Sequence, residues 1–168
     1  MNFTITLPGS VTYKIVHSNH YMIQTFQATL DDLEAVALLF DSYRQFYQQI
    51  PDLDGAREFI RQRLTNGDSH IILGSEGSQA AGFTQLYPIF TSVGMRRTWL
   101  LNDLFVHSAH RKKGVGEQLL EAAQEHARNT GSKWLMLETG MENIPAQRLY
   151  EKMGWKPSNG KFYQLTLD

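Results

Sequence analysis

Residues Trp99 to Leu120 read WLLNDLFVHSAHRKKGVGEQLL, and this stretch decides the fold. An apolar run, Trp99 to Val106, ends at a polar turn, His107 to Lys113. Gly114-Val115-Gly116 then opens a segment in which Val115, Leu119, Ala123 and Ala127 recur at helical spacing. A strand, a glycine-bearing turn and a helix in that order bring free backbone N–H groups, two glycines and the cations Arg111, Lys112 and Lys113 to one helix N-terminus. Such an end carries roughly half a positive charge and about four unpaired donors. Glycine matters there because a Cβ would hold a phosphate away from the backbone. The segment suits a phosphate-bearing ligand.

Outward from it, on the C-terminal side, Gly131 stops the helix and Lys133 to Thr139 (KWLMLET) reads as a short buried strand. Strand, helix, strand is a right-handed parallel crossover by default. A further helix begins after Asn143, with Pro145 tolerated in its first turn, and ends at Gly154. From Trp155 to Leu167 an Asn159-Gly160 turn separates two strand-like pieces and predicts a closing hairpin.

On the N-terminal side, strands are expected over His70–Gly74, Ala80–Phe90 and Thr98–Val106, with turn signals at Glu76-Gly77-Ser78 and Ser92-Val93-Gly94. Pro88 favours an edge, a strand end or a bulge. Upstream, Met22 to Ala28 reads as a first strand, and Thr29 starts a helix of about residues 30–48, with Asp31 and Asp32 where the dipole favours negative charge. Pro51 to Gly55 breaks the chain before a short helix, Arg57 to Leu64. Residues 1–20 are turn-rich and fit an edge strand, an arm that bridges a homodimer, or a disordered leader, which leaves residues 21–168 as the domain. The order β-α-α-β-β-β-α-β-α-β-β requires a mixed sheet.

The 168 residues fit one domain, and 42% hydrophobic with 20% charged residues is ordinary for a globular protein. A net charge of −1 excludes bulk attraction to nucleic acid or an anionic membrane, so any affinity for phosphate is local. The absence of cysteine excludes disulfides, thiolate nucleophiles and cysteine metal sites. His107 and His110 have no partner set for a metal, and none is expected. The N-terminal residues carry no secretory pattern, and the longest apolar run, Ala35 to Phe40, is far too short to cross a bilayer. A cytoplasmic protein with no nucleic-acid or membrane partner is the expectation.

Several readings of the glycine turn compete. A P-loop requires Lys and Ser or Thr after its last glycine, yet Glu117 and Gln118 follow Gly116, so that reading fails. A dinucleotide fingerprint requires a third glycine where Leu119 stands, although Glu138 ends the next strand where a ribose-binding acid would sit. A solvated basic turn before an ordinary helix is the plainest alternative. The fourth is R-x-x-G-x-G, Arg111 to Gly116, five residues after a strand that ends Leu104-Phe105-Val106. Together with Asn143 and Leu149-Tyr150-Glu151-Lys152-Met153-Gly154-Trp155, it resembles the GNAT superfamily of N-acetyltransferases over about residues 22–168.

That resemblance implies an α+β fold with three α/β/α layers. Its mixed, largely antiparallel sheet would have about six to seven strands. The central parallel pair, Leu100–Val106 and Lys133–Thr139, would splay apart to admit the pantetheine arm of acetyl-CoA. The backbone of Leu104, Phe105 and Val106 would pair with pantetheine and polarise the thioester carbonyl. Arg111, Lys112, Lys113, Gly114, Val115, Gly116 and Glu117 would cradle the pyrophosphate, and Asn143 would touch the cosubstrate from the last helix. Tyr150 would be the general acid toward the departing thiolate, a role that suits a phenol with a reference pKa of about 10.

A base must take the amine proton, and two carboxylates compete: Glu138, as in relatives with a glutamate there, and Asp103 on the other splayed strand. Strand alternation puts Asn102 and Asp103 on opposite faces, so only one can face the cleft squarely. Some polyamine-acetylating relatives carry glutamate where this chain has Asn102. Tyr43, Phe46, Tyr47 and Tyr87 are candidates for an acceptor wall, and Asp52 and Asp54 for attracting a cationic amine. The implied activity is direct transfer of acetyl from acetyl-CoA to a primary amine of a small molecule, polyamine or peptide. The alternative is a non-catalytic acyl-CoA-binding module.

Overall fold

The computed structural model describes residues 4–6, 12–14 and 22–167. Five strands form the main sheet, in chain order and in spatial order alike: β3 (Ile23–Gln27), β4 (His70–Glu76), β5 (Gln79–Thr91), β6 (Arg96–Val106) and β7 (Leu135–Met136). All neighbours are antiparallel except β6 and β7, which run parallel. A separate antiparallel pair, β1 (Thr4–Thr6) with β2 (Thr12–Lys14), forms a two-stranded sheet of its own, so neither is an edge strand of the main sheet. The rest of the expected leader or arm lies outside the described residues. Helices α1 (Leu33–Phe46), α2 (Leu53–Asn66), α3 (Val115–Asn129) and α4 (Ile144–Lys152) complete the fold. None of them is long and apolar enough to cross a membrane.

Local chemistry sets the helix limits. Thr29 accepts from the Asp31 amide at 3.3 Å, while the Asp32 carboxylate accepts from the Thr29 amide at 2.9 Å; this capping box starts a 3-10 turn that runs into α1. Helix α2 begins earlier than expected. The Asp52 carboxylate accepts from the Gly55 amide at 2.9 Å and caps the helix, which puts Gly55 inside the first turn rather than in the break. Pro88 falls beyond the last β4 pair, His70 with Leu86, where β5 no longer has a neighbour on that side.

The sheet separates two apolar clusters. On one face Ile60 of α2 and Val36 and Leu39 of α1 pack on Leu73, Phe83 and Phe105. On the other, Val115, Leu119, Leu120 and Ala123 of α3 pack on Ile72, Leu86, Trp99 and Leu101. Helix α3 sits close because Gly74 and Gly82 face each other across β4 and β5: a Cβ on either would stand 3.3 Å from a Leu119 methyl.

Strand β6 contains a β-bulge. Gln85 pairs with Asp103 and Leu86 with Leu101, which leaves Asn102 as the extra residue. Trp99 and Leu101 therefore face α3, and so do Leu104 and Val106, while Asp103 and Phe105 turn toward α1.

Two expectations fail at the C-terminal edge. Of the strand expected over Lys133–Thr139 only Leu135 and Met136 are strand, and among the described residues no hairpin forms after α4. Among the described residues the main sheet has five strands, not six or seven. The alternating tail residues Phe162, Tyr163, Leu165 and Leu167 are exposed, since a two-residue β7 offers almost no ladder for another strand to extend.

Candidate active site

Strands β6 and β7 pair at Trp99–Leu135 and Leu100–Met136, and just before them the Lys133 amide donates to the Arg97 carbonyl at 3.4 Å. Past these pairs the ladder stops, and a cleft of about 590 Å³ opens between Leu101–Val106 on one side and Glu138 and Thr139 on the other. Helix α1 adds Tyr43, Phe46 and Tyr47, α4 adds Tyr150, and the start of α3 closes one end. The backbone beyond Leu100 thus offers unpaired groups to whatever enters.

The α3 terminus is shaped by Lys112 at φ +61° and by Gly114, the N-cap, at φ +92°. That left-handed conformation favours glycine, and Gly114 supplies no side-chain cap to its own helix. A Cβ on Gly116 would press to 3.1 Å from a Leu149 methyl and 3.7 Å from a Val106 methyl, so bare backbone faces the cleft here. Uncapped amides, no side-chain bulk and an adjoining slot between strands fit a pyrophosphate with an extended arm.

The cations do not all gather there. Arg111 donates from Nε to the Val106 carbonyl at 2.9 Å and lays its guanidinium over Phe46 and Phe105, 5.8 and 5.9 Å from the ring centres. Lys112 lines the cleft. The Lys113 side chain turns away to Glu76 of β4, with Nζ 3.0 and 2.8 Å from the two carboxylate oxygens, so only its backbone remains available to the cradle. His110 Nδ1 meets the same carboxylate at 2.5 Å. The Lys113 ammonium, then His110, hold the Glu76 carboxyl below its usual range, and the cluster staples the turn to the sheet.

Tyr150 and Glu138 both line the cleft. Burial, with Tyr47 adding to it, pushes the Tyr150 phenol up to about 12, so it is protonated at neutral pH. Glu138 forms no ion pair among the described residues, whereas Glu117 is held by Lys152 at 2.6 Å. Asn143 also lines the cleft; it caps α4 by accepting from the Ala146 amide at 3.4 Å.

The bulge removes Asp103 from this company. It is 4% exposed, does not line the cleft, and accepts from Gln85 Nε2 at 2.9 Å and from Asn102 Nδ2 at 3.2 Å. Burial raises its carboxyl above the usual range. Asn102, not Asp103, faces the cleft. The other candidates are engaged elsewhere: Asp52 caps α2, Asp54 pairs with Arg57 at 2.5 Å, Tyr87 accepts from Gln85 Nε2 at 2.7 Å, and His107 Nδ1 accepts from the Ala109 amide at 3.4 Å. Unbroken strand alternation hid the bulge, although the spacing of Trp99, Leu101, Leu104 and Val106 carries its trace.

The sequence profile of the Acetyltransferase (GNAT) family matches residues 34–155. The chain belongs to this family. An uncharacterised N-acetyltransferase of Bacillus subtilis, YhfO, is 46% identical over 134 residues, covering 80% of this chain and 90% of the relative. An aminoalkylphosphonate N-acetyltransferase of Salmonella typhimurium is 25% identical over 135 residues, covering 80% of this chain and 86% of that one. A crystal structure of a probable acetyltransferase superposes with a TM-score of 0.82 at 35% identity, over 86% of this chain and 98% of the other. This GNAT protein is an acetyltransferase, and its mixed sheet with helices on both faces is the fold of these neighbours.

Proposed function

We propose that this GNAT enzyme uses acetyl-CoA and passes the acetyl group directly to a primary amine. The observation that carries this reading is the meeting, in one cleft, of an interrupted β6–β7 ladder, the uncapped Gly114–Gly116 terminus and a protonated Tyr150. The amides from Lys112 to Glu117, with Arg111, would hold the pyrophosphate, and the backbone of Leu104 to Val106 would run beside the pantetheine arm. Acetyl-CoA supplies an activated acyl carbonyl. Tyr150 holds a proton for the departing sulfur, and Glu138 accepts the one released by the amine. Alkylammonium pKa values lie near 10.4, so presenting a neutral nucleophile at pH 7 costs about 4–5 kcal/mol, which a carboxylate at the cleft offsets in part. The aminoalkylphosphonate named for the Salmonella typhimurium relative agrees with an amine acceptor. A cysteine-free chain agrees with a cytoplasmic setting.

Release of free thiol from acetyl-CoA across a panel of amines tests the reading. Amine-dependent release is expected, and Gly116→Val should weaken acetyl-CoA binding at least about tenfold by calorimetry, since its side chain would press on Leu149 and Val106 and displace the α3 terminus. Tight binding of CoA with no thiol release across the panel would instead favour a non-catalytic acyl-CoA-binding module.

A further inference from the structure

Asn102 stands on the β6 bulge with its side chain open to the cleft, and the buried groups behind it fix which way its amide points. The chain of donors starts at Ser69, whose Oγ donates to Gln85 Oε1 at 3.2 Å. Gln85 must then present Nε2 forward, and it donates to Asp103 Oδ2 at 2.9 Å and to the Tyr87 hydroxyl at 2.7 Å. Asp103 Oδ1 in turn accepts from Asn102 Nδ2 at 3.2 Å. A carboxylate accepts only, so it fixes the amide nitrogen inward and leaves the amide oxygen outward. Among the described residues nothing donates to Asn102 Oδ1. Glu138, also without an ion-pair partner there, lines the same cleft from beyond β7. Phe46 and Tyr47, 54% and 52% exposed, line the same cleft, Phe46 with the Arg111 guanidinium 5.8 Å from its ring centre. Exposed rings and a polar pair in one cleft match a ligand with one charged end and an apolar body.

We propose that Asn102 Oδ1 accepts an N–H of the acceptor amine, with Asp103 as the residue that positions it, and that the acceptor is a primary amine on an apolar body covering Phe46 and Tyr47. This rests on the transferase reading and names the chemistry of its acceptor side. A primary ammonium that surrenders one proton to Glu138 keeps two N–H groups; one bonds to Asn102 while the lone pair remains free to attack. A tertiary amine has no N–H left to offer once deprotonated.

Steady-state kinetics of the full chain with 2-phenylethylamine, n-hexylamine, glycine and N,N-dimethyl-2-phenylethylamine test this. The two apolar primary amines should give the lowest KM, and the tertiary amine no turnover. Asn102→Leu should raise the KM for 2-phenylethylamine about tenfold or more, with acetyl-CoA affinity unchanged. Asp103→Asn should do nearly the same, because Gln85 Nε2 would hold the new amide by its oxygen and turn its nitrogen toward Asn102, drawing Asn102 Oδ1 inward. The exchanged pair N102D/D103N restores an outward oxygen backed by a donor, so KM should return to within about threefold of the native value. An unchanged KM in Asn102→Leu overturns the role of Asn102, and a double variant as impaired as Asp103→Asn overturns the positioning. Glycine outperforming the apolar amines overturns the acceptor class. No turnover of any amine by the native protein removes the transferase reading itself, and this inference with it.

Discussion

Strand β6 treats its two neighbours in opposite ways. Toward β5 it is paired from Arg96 to Val106 with one bulge, and the seam is sealed by Phe83, Leu86 and Trp99 from both faces. Toward β7 it is paired at two residues and then left open. The closed seam removes apolar surface and backbone groups from water and so holds the fold together. The open seam leaves the same kinds of backbone groups unspent, where α3 delivers bare amides and α4 a phenol. One strand thus serves both stability and chemistry, and the division falls along its two hydrogen-bonding edges.

The sharpest way to break that division is Gly82→Val. A Cβ there stands 2.4 Å from the Phe105 carbonyl oxygen and 3.3 Å from a Leu119 methyl, so β5, β6 and α3 would have to part. A loss above about 3 kcal/mol is expected, seen as a fall in Tm or loss of soluble protein. Glu138→Gln on the open side should shift stability by less than about 0.5 kcal/mol while lowering turnover. Equal Tm values for the two variants would erase the distinction between the seams.

The same contrast explains what could be read in advance. Most helix starts were legible because their signals are local: Thr29 with Asp32, Asn143 with Pro145, and the turn from Arg111 to Gly116 each act within a few residues, whereas the Asp52 cap of α2 was masked by the proline and glycine around it. The antiparallel hairpins were legible from Gly77 and Gly94 for the same reason. The β6–β7 seam was not. KWLMLET has the composition of a strand, yet a ladder needs a partner, and where β6 diverges the residues after Met136 have none. The tail fails likewise: Tyr163 and Leu165 alternate as a strand should but meet no edge. Lys113 reads as a phosphate ligand until Glu76, thirty-seven residues earlier, claims it. Asp103 loses the cleft to Asn102 because a bulge is a property of two strands together.

On the open side, Tyr150→Phe sharpens the comparison. Removing the phenol hydroxyl should lower kcat about a hundredfold, within the range for a general acid, with acetyl-CoA affinity and Tm nearly unchanged. The pH profile carries a second signature. An ordinary tyrosine loses its proton near 10, but burial keeps Tyr150 protonated to about 12. Turnover should therefore rise with pH as the amine deprotonates, and show no alkaline fall attributable to this group below about pH 11. A limb near 10 that vanishes in Tyr150→Phe would mean the phenol is solvated, and the cleft less closed than its lining indicates.

The smallest effect lies on the closed side. His70 of β4 and His126 of α3 stack with ring centres 3.4 Å apart and planes 8° from parallel, beside Trp99. Burial, then repulsion from His126, lowers His70 to about 4; burial, then Arg97, lowers His126 as well. In the unfolded chain both take up protons near 6.5, while the folded protein refuses them. Between about pH 6.5 and about 4 the unfolded state binds more protons, so stability falls as pH falls through that window. The carboxylates held below their usual range, Asp41, Glu58 and Glu76, begin to lose their contribution only from about pH 5 downward. Both rings are partly exposed, which limits the loss to about 1 kcal/mol, or roughly 2–4 °C in Tm between pH 7.5 and 5. His126→Phe keeps an aromatic stack, removes a buried Nε2 that has no hydrogen-bond partner, and should flatten that slope. A variant whose Tm falls as steeply as the native protein would show that the pair is hydrated in the folded state, and that the closed half admits water where its packing denies it.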